Sequence, residues 1–170
     1  MDHRIRTPFA AGVTVLLAQL AFATASPQAT VSFDPTVTAS LEKTYGSNEA
    51  AVLRSAILSA LAKQEQHAAL PGDLTLKVTV RQLKPSHPTL KQQLDDPSLS
   101  PTRTHYLGGA DLVGEVIDSN QHVLANVDYR DFADVLPAGS VSLDPWADAR
   151  LAIDGFAAKL AATWARLPKN

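Results

Sequence analysis

No cysteine occurs among the 170 residues of the chain. Disulfide staples, thiolate nucleophiles, cysteine-ligated zinc and iron–sulfur clusters are therefore excluded. The same absence removes the thiol through which a signal-peptide cysteine is lipidated, so no lipid anchor is expected. An excess of either charge is missing too, with 15 Lys+Arg against 17 Asp+Glu. A chain without basic clusters is a poor fit to nucleic acid, where phosphate neutralisation dominates affinity, and to anionic membrane surfaces. Long apolar runs are absent apart from one, at the amino terminus.

That run defines the first 25 residues. Arg4 and Arg6 form a positive start, Phe9 to Phe22 is uncharged and apolar, and Ala23-Thr24-Ala25 is a small-x-small cleavage pattern. This arrangement reads as a signal peptide cut between Ala25 and Ser26. Its apolar stretch is shorter than the roughly 20 residues a permanent membrane helix needs. The expected mature chain, residues 26–170, carries 13 Lys+Arg and 16 Asp+Glu, a formal charge of −3. At that length a single domain with its own core is expected, in the periplasm, with no transmembrane span after processing. Release beyond the outer membrane stays open.

Hydrophobic period supplies the elements. Val31-Ser32-Phe33 is a short strand stopped by Asp34-Pro35. Ser47 or Asn48 caps a helix whose stripe is Leu53, Ile57 and Leu61. After a Pro71-Gly72 turn, Leu74, Leu76, Val78 and Val80 alternate with Thr75, Lys77, Thr79 and Arg81, a strand buried on one face only. Residues 84–105 hold four prolines. They form either an extended surface loop or a short helix over Pro88–Asp95 anchored by Leu90 and Leu94. A loop of this length in a compact domain is often functional.

A hairpin follows. A two-residue Ser119-Asn120 turn, with Asn120 left-handed, pairs Val116 with Val123, Gly114 with Ala125, Leu112 with Val127 and Ala110 with Tyr129. The small Gly114/Ala125 pair leaves a hollow for Phe156 or Trp164. Gly108-Gly109 lacks a phosphate-loop context and reads as a bulge or close strand approach. The last helix starts with Asp144 as cap and Pro145 in its first position. Its stripe runs Trp146, Ala149, Ile153, Phe156, Leu160, Trp164 and Leu167. The two tryptophans read as core. Together these elements predict an α+β two-layer sandwich, a three- or four-stranded antiparallel or mixed sheet with two helices on one face.

Several stretches, taken in order, resemble a family of Gram-negative envelope lipoproteins of unknown function. They are Val31-Ser32-Phe33-Asp34-Pro35, Pro71-Gly72-Asp73-Leu74-Thr75-Leu76, Gly108-Gly109-Ala110, Asp118 with Leu124-Ala125-Asn126-Val127-Asp128-Tyr129-Arg130, and Trp146-Ala147-Asp148-Ala149. The layout is also similar to the small α/β domain at the amino terminus of TolB. The resemblance implies a periplasmic domain and contributes no catalytic residue. This chain departs from the family by lacking the anchoring cysteine and by placing Asn120-Gln121 where a turn glycine is usual.

Reactive constellations are missing. No HExxH, HxH or GxSxG occurs. Of the histidines beyond the signal, His67, His87, His105 and His122, none shares a helix or strand face with another. His87 and His105 bracket the proline-rich loop and can meet in space, but solvated histidines are the expectation, with no metal ligand and no cofactor. The hairpin register sets Asp111 opposite Asp128 with Glu115 nearby. Like charges across a ladder are unfavourable. They point either to a cation or basic-partner site, or to neutralisation by Arg130, Lys77 or Arg81. The expected function is thus a non-enzymatic periplasmic accessory or binding module. It presents Lys77, Arg81, Asp111, Glu115, Asp128 and Arg130, or the 84–105 loop, to an envelope protein. The alternative is a small metal-dependent or carboxylate-based envelope hydrolase using Asp111, Asp128 and a loop histidine. Self-association through a sheet face or edge is a third option.

Overall fold

The computed structural model describes residues 28–67, 74–135 and 142–167. The signal segment, its Ala25/Ser26 junction and the Pro71-Gly72 turn lie outside the described residues. In chain order the elements are β1 (Gln28–Phe33), α1 (Pro35–Ser40), α2 (Glu49–His67), β2 (Thr75–Lys84), α3 (Leu90–Asp95), β3 (Gly109–Ile117), β4 (Val123–Phe132) and α4 (Ala147–Trp164). The sheet order is β1-β2-β3-β4, the first pair parallel and the other two antiparallel. The architecture is the expected α+β two-layer sandwich. Helix α4 lies on β3 and β4, and α2 packs beside α4 and against β1.

The core follows the two hydrophobic periods. Leu76, Val78 and Val80 from β2 and Ala110, Leu112 and Val116 from β3 meet Leu53, Ile57 and Leu61 of α2 and the Ala149-Ile153-Phe156-Leu160-Trp164 stripe of α4. Phe156 fills the hollow over Gly114: a Cβ added there would stand 2.7 Å from its Cζ and 3.2 Å from Leu160 Cδ1. Gly109, at φ +144°, marks a close strand approach, because a Cβ there would collide with the backbone of Asp131 and Phe132.

The hairpin register differs from the expected one by two residues. Val116 pairs with Ala125, Gly114 with Val127, Leu112 with Tyr129 and Ala110 with Asp131. The turn is longer than two residues, and Gln121 (φ +66°), not Asn120, is left-handed. Asp118 organises it. Its Oδ1 accepts the backbone N–H groups of Asn120 and His122, each at 2.8 Å. Its own N–H donates to the His122 carbonyl, and its carbonyl accepts from Gln121 N–H. From Ala110 to Val116 the shift of two keeps side chains on their original faces, but at the hairpin end a further irregularity pairs Ile117 with Val123, and Val123, expected inward, is 54% exposed.

Three other expectations need correcting. Asp144 and Pro145 do not open α4, whose helix begins at Ala147 with Trp146 in the capping position. The Asp144 carboxylate instead accepts the Trp146 N–H at 3.0 Å, closing a turn just outside the helix. Leu90 and Leu94 do not anchor α3, being 68% and 73% exposed. This helix is held by a reciprocal Thr89–Gln92 capping box. The 84–105 segment is not all surface either, since Pro85 to Thr89 is buried. Pro35 also starts a helix that was not foreseen: α1 widens into a π-helical turn over Leu41–Tyr45.

Two outcomes follow. Gly114→Ala should cost about 1–3 kcal/mol by overpacking against Phe156, read as a lower urea midpoint at unchanged slope. The Asp118 carboxyl is held below the usual aspartate range by the backbone N–H of His122, with further help from Asn120 and the His122 ring. A depressed folded pKa means stability that is present above the ordinary value and lost as pH falls through the folded one. Asp118→Asn should therefore flatten the acid loss of stability below about pH 4, measured as urea midpoints at successive pH values.

Candidate functional site

Covering one sheet face with α2 and α4 leaves the other to polar side chains. On β1 and β2, Ser32 Oγ and Thr79 Oγ1 lie 3.2 Å apart, and Ser32 also donates to the Val78 carbonyl. On β2 and β3, Lys77 Nζ stands 4.0 Å from Glu115 Oε2. The densest arrangement centres on Arg81. Its Nε and Nη2 reach Asp111 Oδ1 at 2.9 and 2.8 Å, and Nη2 reaches Asp128 Oδ1 at 2.7 Å. Arg130 Nη1 approaches the second oxygen of Asp111 at 3.5 Å.

A β-bulge builds this cluster. Val80 pairs with Leu112 and Gln82 with Asp111, so Arg81 has no partner of its own. The extra residue turns Arg81 outward across β3, while Leu83 returns to the core opposite Ala110. The corrected register places Arg130, not Asp128, opposite Asp111; Asp128 faces Val113. Asp111 is thus shared between two guanidiniums, its side chain only 11% exposed. The hydrogen bond to Asp111 comes first among the causes that raise the Arg81 pKa above its ordinary value.

Beside the cluster runs an open groove of about 650 Å³ between α1 and the bulged end of β2. Its polar lining includes Thr36, Ser40, Tyr45, Arg81, Gln82 and Asp111, over Val37 and Leu83. Burial, and then the neighbouring Tyr106, push the Tyr45 hydroxyl pKa up. Its ring stands edge-on to Trp146 at 5.5 Å, and the Trp146 Nε1–H donates to Glu49 at 2.6 Å. The sequence reading missed this groove because both of its walls were hidden, α1 behind a strand-ending proline and the bulge behind apparent alternation. Pro35 in a first-turn position was the available signal.

All six charged residues singled out from the sequence project from this sheet layer, with Arg81, Asp111, Asp128 and Arg130 in one network and Lys77–Glu115 beside it. The histidines divide differently. His122 is exposed in the hairpin turn, its Nδ1 3.3 Å from Asp118 Oδ2. His87 and His105 do meet, ring centroids 4.7 Å apart with planes at 67°. The side chain of His67 lies outside the described residues. Neither His87 nor His105 lines the groove that holds Asp111. Among the described residues no three histidine, aspartate or glutamate side chains converge on a metal position, and no helix is long and apolar enough to cross a membrane. Comparison with protein-family models, curated proteins and solved structures gives no match.

The two aspartates should separate in mutants. Asp111→Ala, which leaves two guanidiniums without their enclosed partner, should cost about 1–3 kcal/mol. Asp128→Ala, at an exposed ion pair, should cost less than about 1 kcal/mol. Paired urea titrations at one ionic strength measure both.

Proposed function

We propose that the chain is an exported, non-enzymatic accessory module of the cell envelope. It holds a protein partner on the uncovered sheet face and in the groove beside it. The observation that carries this reading is the Arg81-centred network, which runs without a break from the sheet face into the groove wall. Arg81 and Asp111 belong to both. A surface of fixed, mutually oriented charges suits recognition, because such groups select partners by complementarity.

The same network weighs against hydrolysis. Asp111 and Asp128 are both engaged by Arg81, and a base held in an ion pair is poorly placed to take a proton. The groove containing Asp111 also takes no histidine into its lining. Support for the address comes from the Arg4/Arg6, apolar and Ala23-Thr24-Ala25 sequence. The order of motifs similar to envelope lipoproteins and to the TolB amino-terminal domain agrees with it. On this reading the mature protein begins at Ser26, lies in the periplasm and carries no lipid.

A photo-crosslinking residue at Asn126, exposed on β4 opposite Glu115, should capture a discrete envelope partner in living cells. Arg81→Glu should abolish that adduct, and a crosslinker at the exposed Leu151 of α4 should give none. Equal capture from both sites, or none from Asn126, refutes the reading. Amino-terminal sequencing of osmotic-shock protein checks the address and should begin at Ser26.

A further inference from the structure

Segment 85–89 enters the interior as a loop, and its polar groups have to be matched there. Around Ser86 the matching is tight. Its N–H donates to the Pro145 carbonyl at 2.7 Å, its carbonyl accepts from Tyr106 N–H at 2.8 Å, and its Oγ accepts from Asp148 N–H at 3.0 Å. Asp148 Oδ2 in turn accepts the Gly108 N–H at 3.1 Å. Thr89, two residues beyond His87, is matched by Gln92 on both its N–H and its hydroxyl.

His87 breaks this pattern. It is 1% exposed, and neither Nδ1 nor Nε2 has a hydrogen-bond partner among the described residues. A neutral imidazole carries one donor and one acceptor. Leaving both unmatched inside a segment whose neighbours are so well paired calls for a partner beyond the protein's own side chains. The group beside it is a second imidazole, the half-buried His105, whose ring centroid is 4.7 Å away.

That spacing, an edge-on ring contact, is also compatible with a shared ion. With metal–nitrogen bonds of about 2.0–2.1 Å, an imidazole centroid lies about 3.2 Å from a bound ion. Two rings bound at a right to tetrahedral angle then have centroids about 4.5–5.2 Å apart. The observed separation falls inside this window. We propose that His87 and His105 form a two-imidazole site for a late first-row divalent cation of the Zn²⁺ type. Imidazole nitrogen suits such ions, whereas Mg²⁺ and Ca²⁺ prefer oxygen. Each neutral ring donates one nitrogen lone pair, and water fills the remaining positions on the half-exposed His105 side. The site is separate from the Arg81 network and does not depend on it. Its chemical role is to clamp the segment 85–89 to the segment 104–106 across the proline-rich excursion.

Zinc titration of the full chain by calorimetry, with Zn²⁺ as the sole added ligand, tests this. The expected result is one Zn²⁺ per chain, with the imidazole resonances of His87 and His105 both shifting in ¹H–¹⁵N spectra. His105→Gln sits on the half-exposed ring and keeps the core intact. It should weaken binding by roughly tenfold or more, since losing a ligand costs at least what losing a supporting group does. His87→Gln should do the same wherever its circular dichroism matches wild type. His122→Gln should leave affinity unchanged. Absence of stoichiometric binding, affinity retained in His105→Gln, or affinity lost in His122→Gln each overturns the proposal. None of these results bears on capture by the sheet face, so the two readings fail independently.

Discussion

The ring of Phe156 rests on the bare backbone of Gly114, and this contact sets how closely α4 lies on the middle of the sheet. Ala149, Ala152 and Ala157 are also fully buried on the same helix. Small groups there let α4 approach both the strands and α2, while Ile153, Phe156, Leu160 and Trp164 fill the space between. Each large apolar side chain buried in this way contributes on the order of 1.5–3 kcal/mol. The result is one-sided: both long helices occupy one face, and the polar alternates of β2, β3 and β4 are left on the other. The polar sheet face is a consequence of that asymmetry.

On the uncovered face, a single extra residue decides the electrostatics. Without the bulge after Val80, Arg81 would continue the strand alternation and stand beside one cross-strand neighbour. With it, the guanidinium spans β3 and reaches carboxylates on both β3 and β4. Asp111 and Asp128 are then bridged by a cation rather than opposed across a ladder. The like-charge conflict suggested by the sequence does not arise in the fold. Rigid, paired charges of this kind offer orientation and selectivity to a partner more than raw affinity.

Legibility from sequence followed the range of the interactions concerned. Helix α2 with its Leu53-Ile57-Leu61 stripe, the alternating half of β2 and the α4 stripe are local periodic patterns, and they emerged directly. The faces of β3 and β4 were also legible between Ala110 and Val116, because a two-residue register error preserves side-chain parity there. The register itself was not, since it depended on Asp118 collecting the N–H groups of two residues beyond it, which lengthened the turn. Helix α1 stayed hidden because Asp34-Pro35 reads equally as the end of a strand or the start of a helix. The six charged residues do lie together on the sheet, but nothing in the sequence marked Arg81 as the one that organises them. Nothing local distinguishes Arg81 from Lys77, and only the bulge does. The meeting of His87 and His105 was open from their positions at either end of one excursion, whereas the burial of His87 was a tertiary fact.

Apart from the β3–β4 turn with its left-handed Gln121, the places where local rules break lie close together. The π-helical turn contributes Tyr45 to the groove, and the bulge contributes Arg81 to the same groove. Tyr45 leans on Trp146, and Pro145 beside it accepts the hydrogen bond that draws Ser86, and with it His87, into the interior. Irregular backbone therefore gathers around the bulged end of β2 and the start of α4, while α2, the rest of β2 and the middle of β3 obey their periods. A π-helical turn and a bulge in one small domain are frequent companions of functional sites. Departures from sequence–structure consistency also collect where selection acted on something other than stability. The long helices and the middle of the sheet thus hold the fold together, and the irregular backbone at the bulged end of β2 carries its unusual chemistry. Both the charged groove and the imidazole pair belong to the irregular end.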